Sequence, residues 1–157
     1  MKKMIALLAC VSASACAMAP PPAAQPVDPA VVITLERGGC GYIAQCPAYR
    51  ISIKPDGAYS YEGYRHVPAI GVREGKLAAD TWAQAEAAFV AADWQTLEDP
   101  TSRAGGFPCM PDSPFARITR RVSADEAKVF SFNLGCDSER GAALFNAING
   151  LLAAPAE

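Results

Sequence analysis

Six cysteines are the residues in this chain best suited to chemistry, and they fall into two groups. Cys40, Cys46, Cys109 and Cys136 lie in the body of the sequence; Cys10 and Cys16 lie near its beginning. Four body cysteines allow three disulfide connectivities. Cys40–Cys46 is the favoured first pair, because the two flank one short loop. Cys109–Cys136 then ties a long proline-bearing loop to the end of a strand. Closing those loops constrains the unfolded chain by about 2 and about 3.5 kcal/mol. The sharper chemistry is thiol–disulfide exchange at Cys40/Cys46, alternative to a purely structural bridge. An exchanging thiol needs a lowered pKa and open access. Gly38, Gly39 and Gly41 would leave the loop open, and Arg37 would favour a thiolate. Against it, the spacing is not Cys-x-x-Cys and no helix start is evident at Cys46. Zinc is disfavoured, since structural sites pair their cysteines at close spacing and an oxidising compartment favours disulfides. The expectation is no metal and no cofactor.

Other reactive types are sparse. His66 is the single histidine, beside Val67 and Pro68 at a strand end, and no Gly-x-Ser-x-Gly elbow supplies a nucleophile. Gly38-Gly39-Cys40-Gly41 has the look of an anion nest. It lacks a P-loop lysine and a following helix, so it reads as a turn. The expectation is therefore no catalytic residue. All five tyrosines fall between Tyr42 and Tyr64. Tyrosine presents a rigid apolar ring with a polar tip and is enriched at interfaces. Tyr42, Tyr59, Tyr61 and Tyr64 are thus a candidate interaction surface, against the plainer reading that aromatic residues suit strands.

The first residues read as an export signal. Lys2 and Lys3 precede a short apolar run, Met4 to Val11, and a small-residue stretch, Ser12 to Ala19. The run is too short to span a bilayer, which takes about 20 residues. Ala13-Ser14-Ala15 fits an ordinary cleavage site. The same residues followed by Cys16 resemble a bacterial lipobox, which makes Cys16 the expected lipidated residue, with Cys10 discarded. Residues 1–15 are then the signal, and 16–30 a Pro/Ala-rich tether, since proline fixes φ and supplies no amide hydrogen. Ala17 after the cysteine, rather than Asp, resembles the outer-membrane choice of lipoproteins in a Gram-negative host. The alternative is a soluble periplasmic or secreted protein.

Loss of Lys2 and Lys3 leaves 12 basic against 16 acidic residues, a net charge of −4. Such a domain has no general attraction to nucleic acid. The cluster Arg117, Arg120 and Arg121 reads as the solvated face and end of a strand. The expected partner is an envelope protein or glycan, with the membrane reached through the N-terminal lipid alone.

One domain, 31–157, must position these groups. Val31 to Leu35 is a β-branched strand, followed by a glycine-rich loop from Arg37 to Gln45. Tyr49, Ile51 and Ile53 alternate with Arg50, Ser52 and Lys54, the period-two pattern of a half-buried strand. Pro55-Asp56-Gly57 turns the chain into a second strand, Ala58 to Tyr64. Tyr59 and Tyr61 share a face there; Tyr64 belongs to the other unless a bulge intervenes at Gly63. Ala69 to Arg73 forms a further strand, with Glu74-Gly75-Lys76 as a turn. Ala79 to Ala92 is a helix with Trp82, Ala85, Phe89 and Ala92 on one face, started by Asp80 or by Thr81 with Gln84 in a capping box. Trp94 and Leu97 pack back on the sheet. Glu98 to Pro114 is a long loop, pinned by Cys109. Phe115 to Val122 and Lys128 to Leu134 form a second hairpin, with Phe130, Phe132 and Leu134 on one face. A last helix, capped by Asp137 or Ser138, carries Leu144, Phe145, Ile148, Leu151 and Leu152. The predicted fold is α+β, a mainly antiparallel sheet of about five or six strands with two helices on one face, in the order β-ββ-β-α-ββ-α.

Ile33-Thr34-Leu35-Glu36-Arg37, Cys40, Cys46-Pro47-Ala48-Tyr49, Asp56-Gly57 and Tyr61-Glu62-Gly63 together resemble a bacterial family, the domain of unknown function 6438. The likeness continues more loosely to the last helix. The five residues between Cys40 and Cys46 make a longer gap than the family's. The resemblance implies this fold and an envelope location, and no activity. The functional expectation is a disulfide-stapled, lipid-anchored binding module, with a thiol oxidoreductase or a periplasmic enzyme inhibitor as alternatives.

Overall fold

A computed structural model of the chain describes residues 29–38, 45–98, 114–134 and 139–152. Among them are β1 (Val32–Gly38), β2 (Ala48–Ile53), β3 (Ala58–Arg65), β4 (Gly71–Lys76), α1 (Thr81–Ala91), a short 3-10 turn (Trp94–Thr96), β5 (Phe115–Arg121), β6 (Ala127–Asn133) and α2 (Glu139–Leu152). The strands form one antiparallel sheet in the order β4-β3-β2-β1-β5-β6. The α+β architecture and its element order follow the sequence reading.

Register explains which face is buried. Ile33 pairs with Ile53, Leu35 with both Ile51 and Ile118, Ile51 with Tyr61, and Ile118 with Phe130. Paired residues share a face, so these side chains form one apolar layer. Ala85 and Phe89 of α1, Trp94, Leu97, and Leu144, Phe145, Ile148 and Leu152 of α2 close over it. Phe89 and Phe130 both meet the Trp94 ring edge-on, with centroids 4.9 Å and 6.3 Å away. Both helices therefore cover the same face, and no helix among the described residues covers the other.

Charged residues lock the rim of this layer. Arg120 makes a bidentate pair with Glu86 of α1, at 3.1 and 2.7 Å, and lies over Phe89. Lys128 donates to the Trp94 and Gln95 carbonyls, where cations favour the end of a helix. The basic cluster thus splits: Arg117 lies on the uncovered face, Arg120 ties a helix to the sheet, and Arg121 donates to the Ala124 carbonyl of its own hairpin.

The boundaries carry three corrections. β1 runs on to Gly38, so Arg37 and Gly38 belong to the strand and not to the loop; β5 pairs with both. Residues 74–76 are the end of β4 and not a turn, because Gly75 lies opposite Tyr59, whose ring fills the space a Gly75 side chain would take. Thr81 is not the cap. It is buried inside α1, and Asp80 precedes the helix with its carboxylate accepting from the Gln84 side chain at 2.7 Å rather than from a backbone amide. The Phe132 side chain, the α2 cap and residues 99–113 lie outside the described residues.

Candidate interaction surface

The tyrosines separate by strand parity. Tyr49 and Tyr61 are core residues, stacked with ring centroids 6.0 Å apart. The Tyr49 hydroxyl donates to Asn149 of α2, with the Arg37 guanidinium beside it. Tyr61 is 1 % exposed, and its hydroxyl donates to the Ala69 carbonyl at 3.1 Å. Burial pushes both phenols above their ordinary pKa, opposed by the nearby cations Arg37 and Arg73 respectively. Tyr59 is half-buried against Gly75 and the core. Tyr61 therefore leaves the candidate surface and Tyr59 offers it little, because their shared face is the one under the helices. Tyr42 lies outside the described residues.

Tyr64 alone of the described tyrosines is exposed, at 45 %. The β2–β3 register shifts between Ala48, opposite Arg65, and Tyr49, opposite Gly63, so Tyr64 is the extra residue of a bulge. Its hydroxyl donates to Glu62 on the uncovered face at 2.8 Å. Desolvation and that carboxylate raise the Tyr64 pKa. Across β4, Val72 stands opposite Glu62 and is 66 % exposed; Ile70, just before the strand, is 65 % exposed. Three large apolar groups thus gather at one corner of the sheet.

The central rows of the uncovered face are polar and internally matched, with Val129, 48 % exposed opposite Thr119, at the far edge. Glu62, Arg50, Glu36 and Arg117 follow one another across β3, β2, β1 and β5. Glu36 takes Arg50 at 3.1 Å and Arg117 at 3.7 Å, and its hydrogen bond and charge raise the Arg50 pKa. Beside this row run Ser60, Ser52, Thr34 and Thr119, with Thr34 and Ser52 hydroxyls 2.8 Å apart. Exposed pairs of alternating sign contribute little to stability and create no strong field. The row is neither an anion site nor a cation site.

Cys46 is buried just before β2, at 6 % exposure. Cys16, Cys40, Cys109 and Cys136 lie outside the described residues. His66 is exposed in a left-handed turn, φ 51°. Among the described residues no group of three His, Cys, Asp or Glu side chains could hold a metal ion, and no helix is long and apolar enough to cross a membrane. Sequence reasoning named Tyr64 and missed Ile70 and Val72. The signal was available: two apolar residues around Gly71 with no alternating partners in the core.

The family model described as "Domain of unknown function (DUF6438)" matches residues 31–152, from the residue before β1 to the last residue of α2. No curated protein matches the chain.

Proposed function

We propose, for a chain that belongs to the DUF6438 family, a binding function without chemistry of its own: a lipid-tethered envelope module that holds another envelope protein at the Tyr64 corner of its sheet. One observation carries this reading. Tyr64, Val72 and Ile70 are exposed together, while the other described tyrosines are engaged in the core. An apolar cluster with a polar rim is the usual anatomy of a contact surface. The lipobox-like residues before Cys16 and the Pro/Ala-rich stretch after it support an anchored, extended tether. In this reading Cys40–Cys46 and Cys109–Cys136 are structural staples.

The test is capture of partners from envelope membranes with the tagged chain. Tyr64→Ala, a change at an exposed site, should weaken recovery of a partner that the parent chain retains. Val90→Ser, on the exposed side of α1, should leave recovery unchanged. Equal recovery with Tyr64→Ala and the parent chain would refute the surface.

A further inference from the structure

We infer that β4 is a strand-addition site: the partner's contact segment is an extended polypeptide that joins the sheet antiparallel to β4, beside Tyr64. This deepens the binding function proposed above and rests on it.

The backbone supplies the first reason. β4 ends the sheet order, so its outer edge has no strand neighbour among the described residues. The Leu77 amide donates to the Gly57 carbonyl at 3.0 Å, which makes 57 and 77 a hydrogen-bonded pair. Antiparallel ladders alternate. Gly75, Arg73 and Gly71 therefore bond to β3, and the amides and carbonyls of Val72, Glu74 and Lys76 point outward. Such an edge is a template for another strand.

Side chains supply the second. Edge strands are commonly guarded by charge or proline. The end of β4 has Arg73, Glu74 and Lys76, but its start does not: Ile70-Gly71-Val72 is uncharged, with Ile70 and Val72 exposed. Strand-addition sites combine a free ladder with apolar anchors at alternate positions. Tyr64, Ile70 and Val72 provide those anchors on the side of the bulge.

Charge selects the occupant. Val72, Glu74 and Lys76 share the uncovered face. An incoming antiparallel strand is matched when it places an acidic residue opposite Lys76, a basic one opposite Glu74, and an apolar one opposite Val72. A second copy of this chain is a poor match. The two antiparallel self-pairings that use all of β4 centre on Arg73 or on Glu74, and set that residue against its own copy, like charge on like.

The probe is a synthetic peptide, acetyl-Glu-Thr-Lys-Thr-Val-Thr-Val-amide, titrated into the purified isotope-labelled exported chain. Amide shifts and slowed hydrogen exchange should concentrate at Val72, Glu74 and Lys76. N-methylation of the peptide's Lys and first Val removes amides that face β4. It should weaken binding by at least about tenfold, the worth of one or two lost hydrogen bonds. N-methylation of the second and third Thr, whose amides face away from β4, should not. Val72→Lys should abolish the shifts while leaving the folded spectrum intact. Equal effects of the two N-methylation patterns, shifts centred on another element, no binding at millimolar peptide, or self-association through β4 would each overturn the inference. If Tyr64→Ala still abolishes partner capture while the peptide fails, the surface stands and strand addition falls. If the peptide binds and Tyr64→Ala leaves capture intact, the edge is competent but the proposed partner surface is refuted.

Discussion

At the scale of single residues, the phenols and cations under α2 are the most consequential group. Tyr49 bridges to Asn149 while the Arg37 guanidinium sits 5.6 Å from the centre of the Phe145 ring, and its Nε is buried without a hydrogen-bond partner among the described residues. Arg37 over the Phe145 ring couples the end of β1 to α2, and the hydrogen bond of the neutral Tyr49 phenol to Asn149 couples β2 to it. Neutral is the operative word. Burial raises the Tyr49 and Tyr61 pKa values above the unfolded value of about 10, so the unfolded chain gives up these protons first. Their contribution is fully present below pH 10 and is lost as pH rises through the folded-state values. Urea unfolding should therefore show stability falling above pH 10, with a shallower fall in Tyr61→Phe. An unchanged slope in that variant would remove Tyr61 from the account. The alternation Tyr49-Arg50-Ile51-Ser52-Ile53 made the Tyr49 face legible in the sequence. Arg37 was not legible, because a charged residue before two glycines reads as loop until the strand is seen to continue through it.

Between elements, the β3–β4 connection shows where sequence patterns mislead. Pro55-Asp56-Gly57 was readable because each residue has a local role: Gly57 takes φ +81°, and the Asp56 carboxylate accepts from the Ala58 amide at 3.0 Å. Gly63 and Gly75 have no local role. Their reasons are tertiary, since the Tyr61 hydroxyl crosses Gly63 to reach Ala69, and the Tyr59 ring lies over Gly75. A glycine kept for a neighbour's ring looks identical in sequence to a glycine kept for a turn, which is why residues 74–76 read as a turn. The apolar corner was hidden for the same reason: exposure of Ile70 and Val72 depends on β4 being the edge. Gly63→Ala would put a methyl carbon 1.9 Å from the Ala69 carbonyl oxygen and 2.8 Å from the Tyr61 hydroxyl. Backbone cannot yield as a flexible side chain does. The cost should be about 3 kcal/mol or more, among the larger effects of single substitutions. Gly150→Ala, in α2 with open space around it, should stabilise by up to about 1 kcal/mol. Denaturant midpoints compare the two; a small loss in Gly63→Ala would mean that the β3–β4 connection repacks.

For the whole molecule, the proposed function makes the anchor separable from the domain. Every described residue of the buried cluster lies between Ile33 and Leu152. In the proposed function, membrane attachment is a matter of lipid alone. A single acyl chain holds a protein only marginally, whereas two chains anchor it stably. A net charge of −4 after loss of Lys2 and Lys3 gives no electrostatic help at an anionic surface. Anchoring should accordingly be all or none with respect to Cys16. The parent chain should partition into detergent and carry the mass of a diacylglycerol on Cys16. Cys16→Ser should move to the aqueous phase, with its thermal unfolding and its response to Tyr64→Ala unchanged. A parent chain that is already aqueous, with an unmodified Cys16, would remove the tether from the proposal and leave a free periplasmic or secreted binder with the same sheet corner.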